Sequence, residues 1–141
     1  MHGPPEQDHG PERVLALAGR DVILPCSFNI TVSRNFPTVE WSKKGIEPNV
    51  VFLYRDGCET YEMKNPDFEY RTNLVLKELK NGNISLRISN VQLSDAGSYQ
   101  CMTLKKNYRE ITRVTLIVGT CGQAFLYTFF LYTLRPEPDT A

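Results

Sequence analysis

Between residues 13 and 118 the apolar positions fall in short runs, and no apolar stripe of helical spacing reaches a useful length. Thr38-Val-Glu-Trp-Ser42 alternates cleanly, with Val39 and Trp41 on one face and Glu40 and Ser42 on the other. Six further runs, at 22–28, 50–55, 70–79, 84–88, 98–104 and 111–118, complete the set. Asp56-Gly57 closes the third of the seven runs and Asn81-Gly82 separates the fourth from the fifth; both pairs suit tight hairpin turns. Strands at this spacing, with no helices between them, predict an all-β sandwich or barrel.

The two ends depart from the pattern. Residues 1–12 are polar and rich in Pro and Gly, with neither the basic stretch nor the apolar stretch of a secretory signal, and read as a disordered leader. Residues 124–134, AFLYTFFLYTL, are apolar except for Thr128 and Thr133. As a helix rising about 1.5 Å per residue they would cover roughly 16 Å, half of a bilayer core of about 30 Å, which is too short for a complete span. The polar end that follows, residues 135–141, does not fit a lipid-anchor signal, whose apolar tail is terminal. The stretch reads as a truncated or alternatively spliced span, or as a tail foreign to the domain, in preference to an interfacial helix, because it lacks a polar face. The expected organisation is a leader at 1–12, one domain at 13–118 and a tail at 119–141, with membrane association only through that missing or truncated span.

Composition narrows the functions. The 141 residues hold one domain comfortably, and 16 Lys+Arg balance 16 Asp+Glu, without the basic excess of a nucleic-acid binder. The balance belongs to the whole chain: residues 13–118 carry 15 Lys+Arg against 11 Asp+Glu, a net of +4. Only His2 and His9 are histidines, both in the leader, so no Ser/His/Asp or Cys/His arrangement can be built inside the domain. No CxxC pair or His cluster suits zinc, and no glycine loop cradles phosphate. A non-enzymatic domain with no cofactor and no metal is expected.

The cysteines decide the fold. Cys26, Trp41 and Cys101 each lie within a predicted strand; Trp41 follows Cys26 by 15 residues, Cys101 follows it by 75, and Tyr99 stands two before Cys101. This Cys…Trp…Tyr-x-Cys arrangement resembles that of an immunoglobulin domain. The resemblance implies that Cys26 and Cys101 bridge two sheets, that Trp41 packs against the sulfurs, and that Tyr99 forms a tyrosine corner. A bridge closing so long a loop contributes about 4 kcal/mol by chain entropy and implies an oxidising compartment. In domains of the variable type an Arg and an Asp pair across the bottom of the sandwich, and Arg71 and Asp95 are placed for that role; the alternative is two unrelated surface charges. The 50–61 stretch leaves room for the two extra strands of a variable-type domain.

Ala18-Gly-Arg-Asp-Val-Ile-Leu-Pro-Cys26, Val39-Glu-Trp41, Val50-Val-Phe-Leu-Tyr-Arg-Asp-Gly57, Gly82-Asn-Ile-Ser-Leu-Arg-Ile-Ser-Asn-Val91 and Leu93-Ser-Asp-Ala-Gly-Ser-Tyr-Gln-Cys101 resemble the butyrophilin family, which includes myelin-oligodendrocyte-glycoprotein-like proteins. The likeness covers about residues 13–118. It implies a domain that faces the cell exterior, binds a protein counter-receptor on another cell and modulates T cells.

Binding in such a domain would use the sheet that carries Trp41, through Glu40, Ser42, Gln100 and Met102, and the loops at one end, 29–37, 56–59 and 105–109. Arg34, Lys105, Lys106 and Arg109 make that end basic and Phe36 and Tyr108 supply aromatic anchors, residue types that tend to dominate interface energetics; an ordinary solvated loop surface is the alternative. Asn29-Ile-Thr31 and Asn83-Ile-Ser85 are glycan acceptor triplets. Cys58 and Cys121 are expected at opposite ends of the sandwich, too far apart to bridge, and therefore free or paired between chains. Homophilic adhesion is the competing function. An antigen-receptor variable domain would carry Phe-Gly-x-Gly in its last strand, where this chain has Ile111-Thr-Arg-Val-Thr-Leu-Ile-Val118.

Overall fold

A computed structural model describes residues 12–27, 38–55, 57–61, 63–75, 82–105 and 108–120. Their strands are β1 (Glu12–Leu17), β2 (Val22–Leu24), β3 (Thr38–Lys43), β4 (Val50–Arg55), β5 (Cys58–Glu59), β6 (Thr72–Leu74), β7 (Leu86–Ile88), β8 (Gly97–Lys105) and β9 (Tyr108–Gly119). They form a six-stranded sheet in the order β1-β9-β8-β3-β4-β5 and a three-stranded sheet in the order β2-β7-β6. The fold is the expected all-β sandwich of two sheets. Every pairing is antiparallel except β1 with β9, which run parallel from Glu12 opposite Val114 to Leu17 opposite Gly119.

The alternation read from the sequence sets which residues face inward. On β3, Val39, Trp41 and Lys43 are buried and Thr38, Glu40 and Ser42 are half-buried on the other face. On β8, Tyr99, Cys101 and Thr103 are buried. Together with Leu24 and Cys26, with Leu86 and Ile88 of β7, and with Val114 and Leu116 of β9, these apolar side chains build one core between the sheets. Cys26 and Cys101 are joined by a disulfide, their Cα atoms 6.6 Å apart, and so tie the strand region after β2 to β8. Trp41 is fully buried and its indole Nε1–H donates to the Ile84 carbonyl at 2.9 Å, so the largest apolar side chain is also satisfied as a donor.

Several boundaries differ from the sequence expectation, each for a local reason. The run 22–28 is a strand only to Leu24, because Pro25 has no N–H to continue the ladder; Ser27 rejoins by a bridge to Asn83. The run 70–79 begins in a turn, with Tyr70 in the left-handed region at φ 66°, and its strand is Thr72–Leu74. The structure adds β1 and the two-residue β5, neither of which stands out as a run. Arg55 pairs with Cys58, and Gly57 between them has φ 84°, the conformation a tight turn needs; Asp56 lies outside the described residues. Lys105 at the end of β8 lies opposite Tyr108 at the start of β9, and this end of the pair is the β8–β9 tip; residues 106 and 107 lie outside the described residues.

Candidate functional site

The register of four strands composes the outward face of the six-stranded sheet row by row. Leu53, Glu40, Met102 and Ile111 lie in one cross-strand row, and Ser42, Gln100 and Arg113 in the next. Thr38, Leu104 and Arg109 form the row nearest the β8–β9 tip. Directly opposed residues share a face in a sheet, so these side chains are neighbours. Leu53 is buried, whereas Leu104 and Ile111 are 38% and 42% exposed and Met102 is half-buried. The face is an apolar strip of Leu53, Met102, Leu104 and Ile111, with Glu40 within it and Arg109 and Arg113 on either side. The four residues expected to form the exposed part of this face are brought together in two pairs, Glu40 with Met102 and Ser42 with Gln100.

The side chains beneath the face hold it in place. Asp95 and Arg71 meet as the sequence suggested: Arg71 Nη1 donates to Asp95 Oδ2 at 2.8 Å and Nη2 to Oδ1 at 2.9 Å, a two-pronged ion pair with the carboxylate side chain only 3% exposed. The hydrogen bond to Asp95 holds the Arg71 guanidinium above its usual range. Asp95 Oδ2 also accepts from the Gln92 N–H, and Arg71 donates twice to the Asp67 carbonyl. Tyr99 donates its hydroxyl to the Asp95 carbonyl at 2.5 Å, completing the tyrosine corner, and burial pushes its phenol well above its ordinary value. Lys43 runs under the same corner; its Nζ donates to the Ser94 carbonyl at 2.7 Å and burial lowers its pKa.

At the β4–β5 edge, Lys64 is buried against the rings of Phe52 and Tyr61 and donates to Glu59 at 2.6 Å, which fastens the segment after β5 to β4. The Glu59 carboxylate raises the Tyr61 phenol above its ordinary value. Nothing in the sequence singled out Lys43 or Lys64, because lysine reads as solvated surface.

The loop-end residues divide. Arg34, Phe36, Lys106 and Asn29 lie outside the described residues, as does Cys121. The backbone of Lys105 and Tyr108 is at the β8–β9 tip, and Arg109 is exposed on the outward face beside Leu104. Asn83 is half-buried and its Oδ1 accepts from the Ser85 N–H at 3.0 Å. Cys58 is a free, exposed thiol on β5. Among the described residues no group of three or more His, Cys, Asp or Glu could hold a metal ion, and no helix is long and apolar enough to cross a membrane.

Comparison with known proteins matches this arrangement. The family model of the immunoglobulin V-set domain matches residues 9–118. Human butyrophilin subfamily 1 member A1 is 33% identical over 79% of this chain, a match that spans 21% of the butyrophilin. V-set domain-containing T-cell activation inhibitor 1 of Rattus norvegicus is 35% identical over 59% of this chain and 29% of its own length. The chain thus matches only a fifth to a third of these relatives. Among solved structures, bovine butyrophilin superposes with a TM-score of 0.70 at 32% identity, over 86% of this chain and 54% of that one. The two sheets, the Cys26–Cys101 bridge and the Tyr99 corner are thus those of a butyrophilin-like domain, and the chain belongs to the immunoglobulin V-set domain family.

Proposed function

We propose that this chain is the recognition module of a cell-surface immunoregulatory protein, and that its outward six-stranded face and β8–β9 tip bind a protein receptor on T cells or other leukocytes and modulate T-cell signalling. One observation carries the reading: Met102, Leu104 and Ile111 form an apolar strip on the outward sheet face, bracketed by Arg109 and Arg113. Exposed apolar ground rimmed by charge is the anatomy of a protein interface. The relative named as a T-cell activation inhibitor supports T cells as the cells acted on. The disulfide supports residence on the extracellular side, since such bridges persist in oxidising surroundings. On this reading Asn29 and Asn83 carry glycans.

The test is staining of activated T cells by multimers of the chain. Ile111→Glu and Arg109→Glu should each reduce staining about tenfold, the loss typical of a residue central to an interface, with thermal melting unchanged. Undiminished staining by both variants overturns the assignment of the face. Homophilic adhesion predicts instead that the chain alone self-associates in sedimentation at micromolar concentration, and that Ile111→Glu abolishes that association.

A further inference from the structure

The outward face holds a cleft of about 290 Å³ at the end of the sheet away from the β8–β9 tip, lined by Ser42, Lys44, Asn49, Ser98, Gln100 and Arg113. Lys43 and Tyr99 also contribute to its walls. We propose that this cleft receives the carboxylate of an Asp or Glu side chain presented by the protein partner, a proposal that rests on the receptor-binding reading and names the chemistry its partner brings.

The register builds the cleft. Ser42, Gln100 and Arg113 are consecutive members of one cross-strand row. The Lys44 N–H donates to the Ser98 carbonyl at 2.9 Å, and the Lys43 N–H donates to the Asn49 carbonyl at 2.8 Å, which folds the turn after β3 over the end of that row. Lys44 and Arg113, the Ser42 and Ser98 hydroxyls and the Asn49 and Gln100 amides therefore line one opening beside Lys43 and Tyr99, and among the described residues no acidic side chain lines it. The cations divide by what they already hold. Lys43 is spent on the Ser94 carbonyl. Asp95, whose charge acts on Lys43, is itself taken by Arg71 and the Gln92 N–H. Lys44 and Arg113 are exposed, and neither makes an ion pair or side-chain hydrogen bond with any described residue.

Two cations with no ion pair among the described residues, set over an uncharged polar floor, call for an anion. The planar guanidinium of Arg113 offers parallel N–H donors that match the two oxygens of a carboxylate, while Gln100 and the serine hydroxyls supply further donors. The volume lies near the lower limit of small-ligand sites, about 300 Å³, and suits one side chain in preference to an extended ligand. Ile111, next along β9 on the same face as Arg113, begins the apolar strip. A partner whose acidic side chain enters the cleft therefore covers the strip with its apolar neighbours, which favours a protein over a free anion as the source.

The test follows the Arg113 Nε–H and the Gln100 side-chain amide by NMR in the full, oxidised chain, during titration with N-acetyl-glutamate amide, inorganic phosphate and N-acetylneuraminic acid in turn. The expected result is displacement of both signals by the glutamate derivative, with affinity about tenfold weaker in Arg113→Gln and in Lys44→Gln, as loss of one charge-assisted contact requires. No displacement overturns the proposal, and so does binding of phosphate alone or tighter binding of neuraminic acid, since each assigns the cleft to another ligand. T-cell staining separates this from the parent reading. If the unaltered chain stains and Arg113→Gln stains equally, the cleft proposal falls and receptor binding stands. If the unaltered chain does not stain, receptor binding falls and the cleft is decided by the titration.

Discussion

Removing Arg71 should cost more than removing its partner, and the reason lies in what each leaves behind. In Arg71→Ala the Asp95 carboxylate, 3% exposed, loses both guanidinium bonds and keeps the Gln92 N–H as its bonded donor. A buried charge stripped of its partner costs about 3–5 kcal/mol, and the Asp67, Ser89 and Asn90 carbonyls lose their donor as well. In Asp95→Asn the Arg71 side chain, 17% exposed, retains those carbonyls and some water, so the cost is about 2 kcal/mol, near that of a charged hydrogen bond. The double variant Arg71→Ala/Asp95→Asn removes the stranded charge and should lie about 1–3 kcal/mol above the sum of the singles in stability. Urea unfolding of the oxidised chain, followed by the fluorescence of the single, buried Trp41, reads these differences directly. With a slope of about 1.5 kcal/mol/M, 3 kcal/mol displaces the midpoint by roughly 2 M while leaving the slope unchanged. Costs that add to within about 0.5 kcal/mol would refute the argument, since independent sites add to that degree.

Gly97→Ala should destabilise by about 1–3 kcal/mol, because Gly97 sits at φ 148° and an added Cβ would meet Lys43 Cε at 3.0 Å; an unchanged urea midpoint would contradict it. Tyr99 should ionise in an alkaline titration only well above the ordinary phenol range, because it is buried. Its folded pKa is raised above the ordinary 10.0, so its contribution to stability is complete below pH 10 and is lost as the pH climbs through the folded value. A Tyr99 ring signal, assigned by a Tyr99→Phe control, that titrates at the ordinary phenol value with the fold intact would contradict its burial.

What the sequence made legible and what it hid follow from range and geometry. Cys26, Trp41, Tyr99 and Cys101 could be read because each role demands a particular side chain, whichever strand carries it. The Arg71–Asp95 pair was legible for the same reason. β1 was not, because ERVLAL lacks strict alternation and its partner strand, β9, begins some 90 residues later. The stretch 105–109 reads as a loop because its residues are mostly polar and basic, yet the backbone pairing of Lys105 with Tyr108 carries the two strands to that level. The cleft was hidden more deeply. Ser42, Gln100 and Arg113 come together only once two strand registers are fixed, and nothing in their individual positions announces it. Lys43 shows the opposite failure, a charged residue drawn under the sandwich by a single carbonyl.

The parallel pairing of β1 with β9 has a mechanical consequence. Tension applied through residues 12 and 119 acts along both strands in opposite senses and slides one past the other. Their hydrogen bonds, from the Glu12–Val114 level to the Leu17–Gly119 level, lie across that pull and share it, so they must yield together. An antiparallel edge hairpin pulled at its open end would instead unzip one rung at a time. Force entering through those two ends is thereby met first by bonds that are loaded together.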